Sequence, residues 1–163
     1  MREALIGCVL AAGSILAAAV ATAQTCALPT GEVRLATRKP VTDPSARLKS
    51  GFGIRFHPLL NVRRMHTGVD WAAARGSRVI AASPGRVAFA GMKGQYGNTV
   101  IIEHGGGLTT LYAHLQDIAV REGDCVASGA KLGGVGSTGL AEAVELHFEV
   151  QRNGTPVDPL RWQ

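Results

Sequence analysis

Glycine interrupts this chain so often that a helical fold is excluded. The sequence has 21 glycines in 163 residues, and no segment of about twelve residues combines a helical apolar period with freedom from glycine. Short apolar runs alternate instead with turn-forming sequences. The runs that suit strands are Arg78–Ala82, Arg86–Ala90, Asn98–Glu103, Leu108–His114, Lys131–Val135 and Glu145–Gln151. We therefore expect an all-β domain of antiparallel sheets, packed as a sandwich or partial barrel with long glycine-rich loops.

The N-terminal segment has the pattern of a secretory signal peptide. A short polar start, Met1–Glu3, precedes an apolar, alanine-rich run from Ala4 to Val20, and the small-x-small triplet Ala21-Thr22-Ala23 follows. This pattern predicts a leader over residues 1–23 and an exported, periplasmic or secreted protein. The alternative is a retained membrane anchor, although the run is short and weakly apolar for a bilayer span. We expect membrane contact only through an uncleaved leader.

The charge of the chain permits anionic partners without selecting one. The net charge is +5, and removal of Arg2 and Glu3 together with the leader leaves it unchanged. Such a charge attracts cell-wall polymers, membrane surfaces or nucleic acid. The sequence has no run of Lys and Arg and no interleaving of basic with aromatic residues, so we expect no nucleic-acid partner.

Two regions follow the predicted leader. Residues 24–46 contain Pro29, Gly31, Pro40 and Pro44 without a sustained apolar period, which indicates an extended arm or linker. Residues 47–163 are long enough for one domain with its own core. Cysteines occur once in each region, at Cys26 and Cys125, and in an oxidising compartment they are a candidate disulfide. Two free thiols are the alternative, because spacing alone does not decide connectivity.

Histidines and carboxylates fall where strands would bring them together. In Glu145–Val150, Leu146, Phe148 and Val150 alternate with polar Glu145, His147 and Glu149, so a strand would project the polar residues from one face. Between His66 and Asp70, Gly68 disfavours a helix, and an extended segment places those two side chains on one face. His66, Asp70 and His147 offer N, N and O ligands that suit Zn²⁺ and leave one coordination position open.

Three further histidines lie outside this candidate set of ligands. His114 ends an expected strand and is a third histidine that could face the metal. His57 precedes Pro58, and His104 precedes three glycines. For these last two we expect structural roles, because a single histidine on a strand is most often hydrogen-bonded within the fold.

The chain resembles the lysostaphin/LytM-type peptidases, the M23 zinc metallopeptidases that cut peptide crosslinks in bacterial peptidoglycan. The resemblance rests first on three motifs: Arg64-Met65-His66-Thr67-Gly68-Val69-Asp70, Tyr112-Ala113-His114-Leu115, and Gly136-Ser137-Thr138-Gly139 followed by Leu146-His147-Phe148-Glu149-Val150. Further segments fit in order: Ser50–Gly53, Arg55–Pro58, Tyr96–Asn98, Ile102–Gly105 and Pro156–Pro159. The resemblance covers residues 50–163.

The resemblance implies that His66, Asp70 and His147 are zinc ligands and that His114 is one of two catalytic histidines. The family's other catalytic histidine lies two residues before the last ligand, where this chain has Glu145. Four roles for Glu145 remain open at this point. It could act as a general base, with a protonated His114 as the donor; it could close the site as a fourth ligand; it could weaken the site electrostatically; or it could be an ordinary exposed strand residue.

Two functions follow from these alternatives. The first is a zinc metalloendopeptidase that hydrolyses peptide crosslinks of peptidoglycan, with His114 and Glu145 sharing the acid–base work. The second is a catalytically impaired LytM-like domain that binds cell wall or regulates a cell-wall amidase. All three metal ligands are retained, which favours the enzyme. The loops at Met92–Tyr96 and Leu140–Val144 would then determine which crosslink is cut.

Overall fold

Strands make up nearly all the regular structure in the computed structural model of the protein, which describes residues 26–31, 33–57, 59 and 61–161. The predicted leader, residues 1–23, lies outside this part. The strands are β1 (Arg47–Ser50), β2 (Gly53–His57), β3 (Val62–His66), β4 (Val69–Ala72), β5 (Arg78–Ile80), β6 (Gly85–Met92), β7 (Asn98–Gly105), β8 (Leu108–Ile118), β9 (Cys125–Val126), β10 (Lys131–Val135), β11 (Glu145–Arg152) and β12 (Thr155–Val157). A single 3-10 turn spans Gly94–Tyr96. In the described ranges, no helix has the length and apolar character needed to span a membrane.

The strands form antiparallel sheets that do not close into a barrel. The larger sheet has the order β1-β4-β11-β8-β7-β6-β9, with β10 joined to both β5 and β8 and with β12 joined to β11. Strands β2 and β3 form a separate hairpin. The prediction of an all-β fold of antiparallel sheets is confirmed. The β2–β3 hairpin was not predicted. Its apolar residues Ile54 and Phe56 are exposed, and four of the five residues of β3 are exposed as well, so the hairpin contributes little to the buried core.

Strand β11 crosses the centre of the sheet between β4 and β8. Its apolar residues Leu146, Phe148 and Val150 are fully buried in the core, as the alternating pattern predicts. The opposite face, with Glu145, His147 and Glu149, is also buried. Both faces of this strand are therefore covered, and three ionisable side chains lie together inside the protein.

Strand β8 changes its neighbour at His114. Residues Leu108–Ala113 pair with β11, whereas Leu115 and the residues that follow it pair with β10. At the junction His114 has a φ of 61°, in the left-handed region that non-glycine residues rarely adopt. This local distortion interrupts the pairing of β8, and such distortions are concentrated at functional sites.

The segment from Cys26 to Ala46 is extended and packs on the sheet. Val33, Val41 and Ala46 are at least nine-tenths buried and belong to the hydrophobic core. The arm also forms backbone hydrogen bonds with β5 and the turn after it, including Ile80 N–H to Pro40 O at 3.0 Å. A disulfide joins Cys26 to Cys125 at the start of β9, with the two Cα atoms 5.5 Å apart.

Candidate metal centre

The register of β4 and β11 places Asp70 directly opposite His147. His66 ends β3, and the turn Thr67-Gly68 returns the chain to β4. A Cβ atom at Gly68 would overlap the backbone oxygen of Phe148 and lie 3.0 Å from Cε1 of His147. Glycine at this position therefore allows the turn to approach β11 closely enough for His66 and Asp70 to reach His147.

The three side chains converge on one point. Oδ1 of Asp70 lies 2.7 Å from Nδ1 of His147 and 3.2 Å from Nε2 of His66. The two ring nitrogens are themselves 3.2 Å apart. All three residues are more than nine-tenths buried, and in the described part of the chain they form the one group of three or more metal-ligating side chains.

Hydrogen bonds on the far side of each ring orient its lone pair. Nδ1–H of His66 donates to the backbone oxygen of Gly51 at 2.7 Å, so Nε2 of the neutral ring turns a lone pair to the centre. Nε2–H of His147 donates to Oε1 of Glu149 at 3.0 Å, so Nδ1 of His147 faces the centre. Two lone pairs and a carboxylate thus meet within contact distance, a donor set that needs a cation and that suits Zn²⁺.

The electrostatics of the cluster agree with this demand for a cation. Burial alone would lower the pKa of His147, but hydrogen bonds to Asp70 and Glu149 outweigh burial and raise the pKa to about 9. Burial would raise the pKa of Asp70, yet hydrogen bonds from His147 and His66 hold it below its usual range. The centre therefore takes up positive charge either as a proton or as a metal ion that displaces the proton.

Glu149, which the sequence analysis did not assign to the site, has no exposed surface and organises this region. Its Oε1 accepts hydrogen bonds from Thr67 Oγ1 at 2.5 Å and from Tyr96 Oη at 2.8 Å, as well as from His147. Gln151 Nε2 donates to its Oε2 at 2.8 Å. Burial opposes ionisation of Glu149, but these donors lower its pKa to about 2. Its position two residues after His147, on the same strand face, was the available signal.

The second oxygen of Asp70 is held by Arg55 of the β2–β3 hairpin. Arg55 Nη2 lies 3.3 Å from Oδ2 of Asp70, and its Nη1 lies 2.6 Å from Oε1 of Glu142. Arg55 therefore leaves Oδ1 of Asp70 directed to the two histidines. Sequence analysis missed Arg55 and Glu142 as site residues because the pairing joins segments far apart in the chain.

His114 lies beside the three converging residues, with its ring centroid 5.8 Å from that of His147. Its Nδ1–H donates to the backbone oxygen of Thr138 at 2.8 Å, which leaves Nε2 as the nitrogen able to exchange a proton with a ligand. Burial lowers the pKa of His114 below its usual value. The ring is therefore a neutral imidazole near pH 7 with an unprotonated Nε2.

Glu145 is buried, with 2% of its surface exposed, so its interpretation as an exposed strand residue is wrong. Its Oε2 forms an ion pair with Lys49 Nζ at 2.7 Å, and its Oε1 accepts the backbone N–H of Glu142 at 3.3 Å. The carboxylate is thus turned to β1, and Glu145 is outside the group of metal-ligating side chains. Lys49, like Arg55, had not been assigned to the site from sequence.

These residues border an open cleft. The hairpin contributes Arg55, His57 and Arg64 to one wall, and the segment around the 3-10 turn contributes Gln95 and Tyr96. The remaining lining residues are Met65, His66, Thr67, Asp70, His114, Leu140, Glu142, Glu145 and His147.

The two histidines set aside as structural have different surroundings. His104 is fully buried and hydrogen-bonded on both nitrogens, to Pro84 O and to Thr110 Oγ1, each at 2.7 Å. This arrangement agrees with the structural role expected for it. His57 lines the cleft, and its buried Nδ1 has no hydrogen-bond partner among the described residues. The expectation that His57 is hydrogen-bonded within the fold is therefore wrong.

Comparison with known proteins finds relatives that are named as a peptidase and as a murein hydrolase activator. The chain is 47% identical over 114 residues to the DD-carboxypeptidase/endopeptidase Mpg of Neisseria meningitidis, covering 70% of this chain and 26% of that protein. It is 41% identical over 97 residues to the murein hydrolase activator NlpD of Escherichia coli, covering 58% of this chain and 25% of NlpD. The chain thus spans about a quarter of the length of these curated relatives.

A solved structure with a similar fold is also that of a peptidase. A zinc-containing peptidase from Vibrio cholerae superimposes with a TM-score of 0.72 at 35% sequence identity, over 78% of this chain and 40% of that one. The sequence model of the family described as "Peptidase family M23" matches residues 64–159. This segment carries His66, Asp70, His114 and His147. The chain belongs to peptidase family M23.

Proposed function

We propose that the protein is an exported zinc metalloendopeptidase that hydrolyses peptide crosslinks of bacterial peptidoglycan. The observation that carries this proposal is the arrangement of His66, Asp70 and His147, whose three ligand atoms meet at the base of an open cleft beside the unprotonated Nε2 of His114. A ligand set of this kind leaves the fourth coordination position of a zinc ion open to water or substrate. The relatives named for endopeptidase activity and for zinc support the same assignment.

His66, Asp70 and His147 would hold the zinc ion, with the orientation of His147 maintained by Glu149. When bound, zinc supplies a Lewis acid that polarises a carbonyl group and makes water more acidic. Arg55 holds the outer oxygen of Asp70, so that Oδ1 remains available to the centre. The fold thereby fixes each donor before substrate enters.

His114 is the proposed general base and acid of the reaction. Its neutral ring presents Nε2 to the cleft, where it can accept a proton from the attacking water and later return the proton to the leaving amine. The hydrogen bond from Nδ1–H to Thr138 O stabilises the imidazolium that forms between these two steps. The left-handed backbone at His114 contributes by turning this ring toward His147.

Glu145 is proposed to act on the charge of the site through its pairing with Lys49. An ionised Glu145 alone would reduce the positive potential that stabilises an oxyanion, whereas Lys49 at 2.7 Å balances it. In this arrangement Glu145 stands at the position of the family's second catalytic histidine, and its carboxylate paired with Lys49 supplies no donor there. We therefore expect hydrolysis that is slower by about 100- to 1000-fold than in a site with both histidines, the usual effect of one missing donor.

A second candidate function follows from the same observation. With Glu145 committed to Lys49, the domain could bind cell wall or regulate a cell-wall amidase without hydrolysing it, as the similarity to a murein hydrolase activator suggests. Peptidoglycan is the partner in both cases. Export is supported by the leader pattern and by the Cys26–Cys125 disulfide, a bond that persists in oxidising compartments.

Digestion of purified peptidoglycan separates the two candidates. The zinc-loaded protein should convert crosslinked muropeptides to monomers, and EDTA should abolish this conversion while added zinc restores it. A Glu145→His variant should raise the rate, and a His114→Ala variant should abolish it. Stoichiometric zinc with no release of peptide from any wall type, together with large activation by Glu145→His, would identify the wild-type protein as the non-hydrolytic form.

A further inference from the structure

The β2–β3 hairpin has two chemically different faces. Cross-strand partners in an antiparallel pair share a face, so Ile54 with Met65 and Phe56 with Arg63 form the outer face, although Met65 also borders the cleft. Arg55 lies opposite Arg64, and His57 lies opposite Val62, on the face that borders the cleft. The cleft wall is therefore basic, and its cations come from both strands of one hairpin.

The Arg55–Arg64 pair is electrostatically unfavourable unless an anion lies nearby, because like charges directly opposite each other on a sheet repel. Asp70 and Glu142 supply the anions that balance the charge of Arg55. In the described part of the chain, Arg64 has a single hydrogen bond, from Nη1 to the neutral Oε1 of Gln95 at 3.1 Å, and no carboxylate partner. No carboxylate among the described residues balances its positive charge.

The carboxylates of the cleft cannot provide that balance, because each already has a cation. Asp70 is paired with Arg55 and with the two histidines, and Glu142 is paired with Arg55. Glu145 is paired with Lys49. Among the described residues, Arg64 therefore keeps an exposed cation at the cleft that an anionic ligand would meet without competition from a protein carboxylate.

The position of Arg64 suits recognition of a carboxylate. It lies two residues before the candidate ligand His66, and Gln95 holds one of its terminal nitrogens. A guanidinium has five donors in a planar fork, so Arg64 keeps donors for a bidentate contact with a carboxylate. Nearby on the same wall, the buried Nδ1 of His57 has no hydrogen-bond partner among the described residues.

We infer that Arg64 binds a free carboxylate of the substrate, and that the substrate is consequently an anionic stem peptide instead of an uncharged glycine bridge. The inference rests on the proposed function, since it names the peptide class that the same cleft would bind. Stem peptides carry free α-carboxylates beside their crosslinks, whereas an oligoglycine bridge has only neutral amides. Arg64 is thus proposed as a specificity-determining residue.

Binding of paired peptides tests this inference directly. Calorimetry would compare the peptide L-Ala-γ-D-Glu-L-Lys-D-Ala-D-Ala with the same peptide carrying carboxamides at both free carboxyl positions. The wild-type protein should bind the carboxylate form about 10-fold more tightly, the usual strength of one charge-assisted hydrogen bond. Arg64→Gln should remove this preference, and Arg64→Lys should retain part of it because the charge remains without the fork.

Arg63→Gln is the matched control. Arg63 is also exposed and adjacent in sequence, but it lies opposite Phe56 on the outer face, so its removal should leave the preference unchanged. Equal affinity of the wild-type protein for the two peptides, an equal loss in both variants, or no measurable binding of either peptide would each overturn the inference.

The binding experiment tests the role of Arg64 independently of whether the protein is a peptidase. Carboxylate-dependent binding that is lost in Arg64→Gln supports the inference even if no peptide bond is cut. Hydrolysis of crosslinks with no difference between the carboxylate and carboxamide peptides leaves the peptidase assignment in place and rejects the role of Arg64.

Discussion

Oε2 of Glu145 lies 2.7 Å from Nζ of Lys49, and this contact joins the first residue of β11 to the edge strand β1 across a separation of 96 residues. The glutamate is almost fully buried, whereas one third of the lysine side chain is exposed. By the family resemblance, Glu145 stands where other members have their second catalytic histidine. Lys49 balances the negative charge that Glu145 brings near the candidate metal centre.

We predict that Lys49→Met destabilises the protein by about 1–3 kcal/mol, because it leaves the buried carboxylate of Glu145 without its cation. The same change in a Glu145→Gln background should cost less than half as much, since no charge then remains to be balanced. Urea unfolding of the four proteins measures this double-mutant cycle. Identical losses in the two backgrounds would show that the ion pair contributes nothing to stability.

Glu149→Gln should weaken zinc binding by about 10- to 100-fold, the range found for residues that orient metal-bound histidines. The amide cannot accept hydrogen bonds from His147, Thr67 and Tyr96 with the strength of a carboxylate. Competition with a chromophoric chelator measures the affinity. Glu103→Gln is the control, because Glu103 is a partly exposed glutamate of β7 that is paired with Arg86. The Glu103→Gln variant should bind zinc with the affinity of the wild-type protein.

Replacement of Cys26 and Cys125 by serine should reduce the free energy of unfolding by about 4 kcal/mol. The disulfide closes a loop between residues 99 apart, so it removes much conformational freedom from the unfolded chain. Chemical denaturation in the absence of reductant compares the two proteins. Dithiothreitol should lower the stability of the wild-type protein toward that of the variant and leave the variant unchanged, which gives an internal control.

His104 should make the stability of the fold depend on pH. Burial lowers the pKa of this histidine, so the folded protein holds it neutral while the unfolded chain protonates it near its ordinary value of 6.5. The stability that it contributes is complete above pH 6.5 and declines as the pH falls toward its folded pKa. For a single proton the slope cannot exceed about 1.4 kcal/mol per pH unit.

A His104→Gln variant should lack this pH-dependent contribution to the free energy of unfolding. The difference in unfolding free energy between the wild-type protein and the variant should be constant above pH 7 and should shrink as the pH falls. Both proteins would be measured with EDTA present, so that loss of metal does not contribute to the difference. A difference that stays constant from pH 8 to pH 5 would mean that His104 takes up a proton equally well in the folded and unfolded states.

Much of the architecture could be predicted from local patterns. The strand Lys131–Val135 was predicted with its observed bounds, and Glu145–Gln151 differs from β11 by one residue at its end. Alternation within β11 predicted which side chains face the core, because successive residues of a strand point to opposite faces. Spacing and resemblance together led to His66, Asp70 and His147, which the structure brings together.

Other parts of the site depend on pairings that no local pattern contains. Arg55 contacts Glu142 across 87 residues of sequence, and Lys49 contacts Glu145 across 96. In the sequence alone, each of these four residues is indistinguishable from an ordinary charged residue at the protein surface. Their roles emerge only when β1 and the β2–β3 hairpin lie beside the start of β11.

The sequence by itself determined the all-β fold class, which follows from residue types at short, regular spacing. It also led to the candidate ligands, through local strand patterns together with the resemblance to a known family. The tertiary structure decided what surrounds those ligands. It buried Glu149 behind His147, tied Glu145 to Lys49, packed the N-terminal arm on the sheet, and left Arg64 facing the cleft without an anion. The physical reason is that the charge and hydrogen-bonding state of a buried group depend on its neighbours in space, and strand register selects those neighbours from distant parts of the chain.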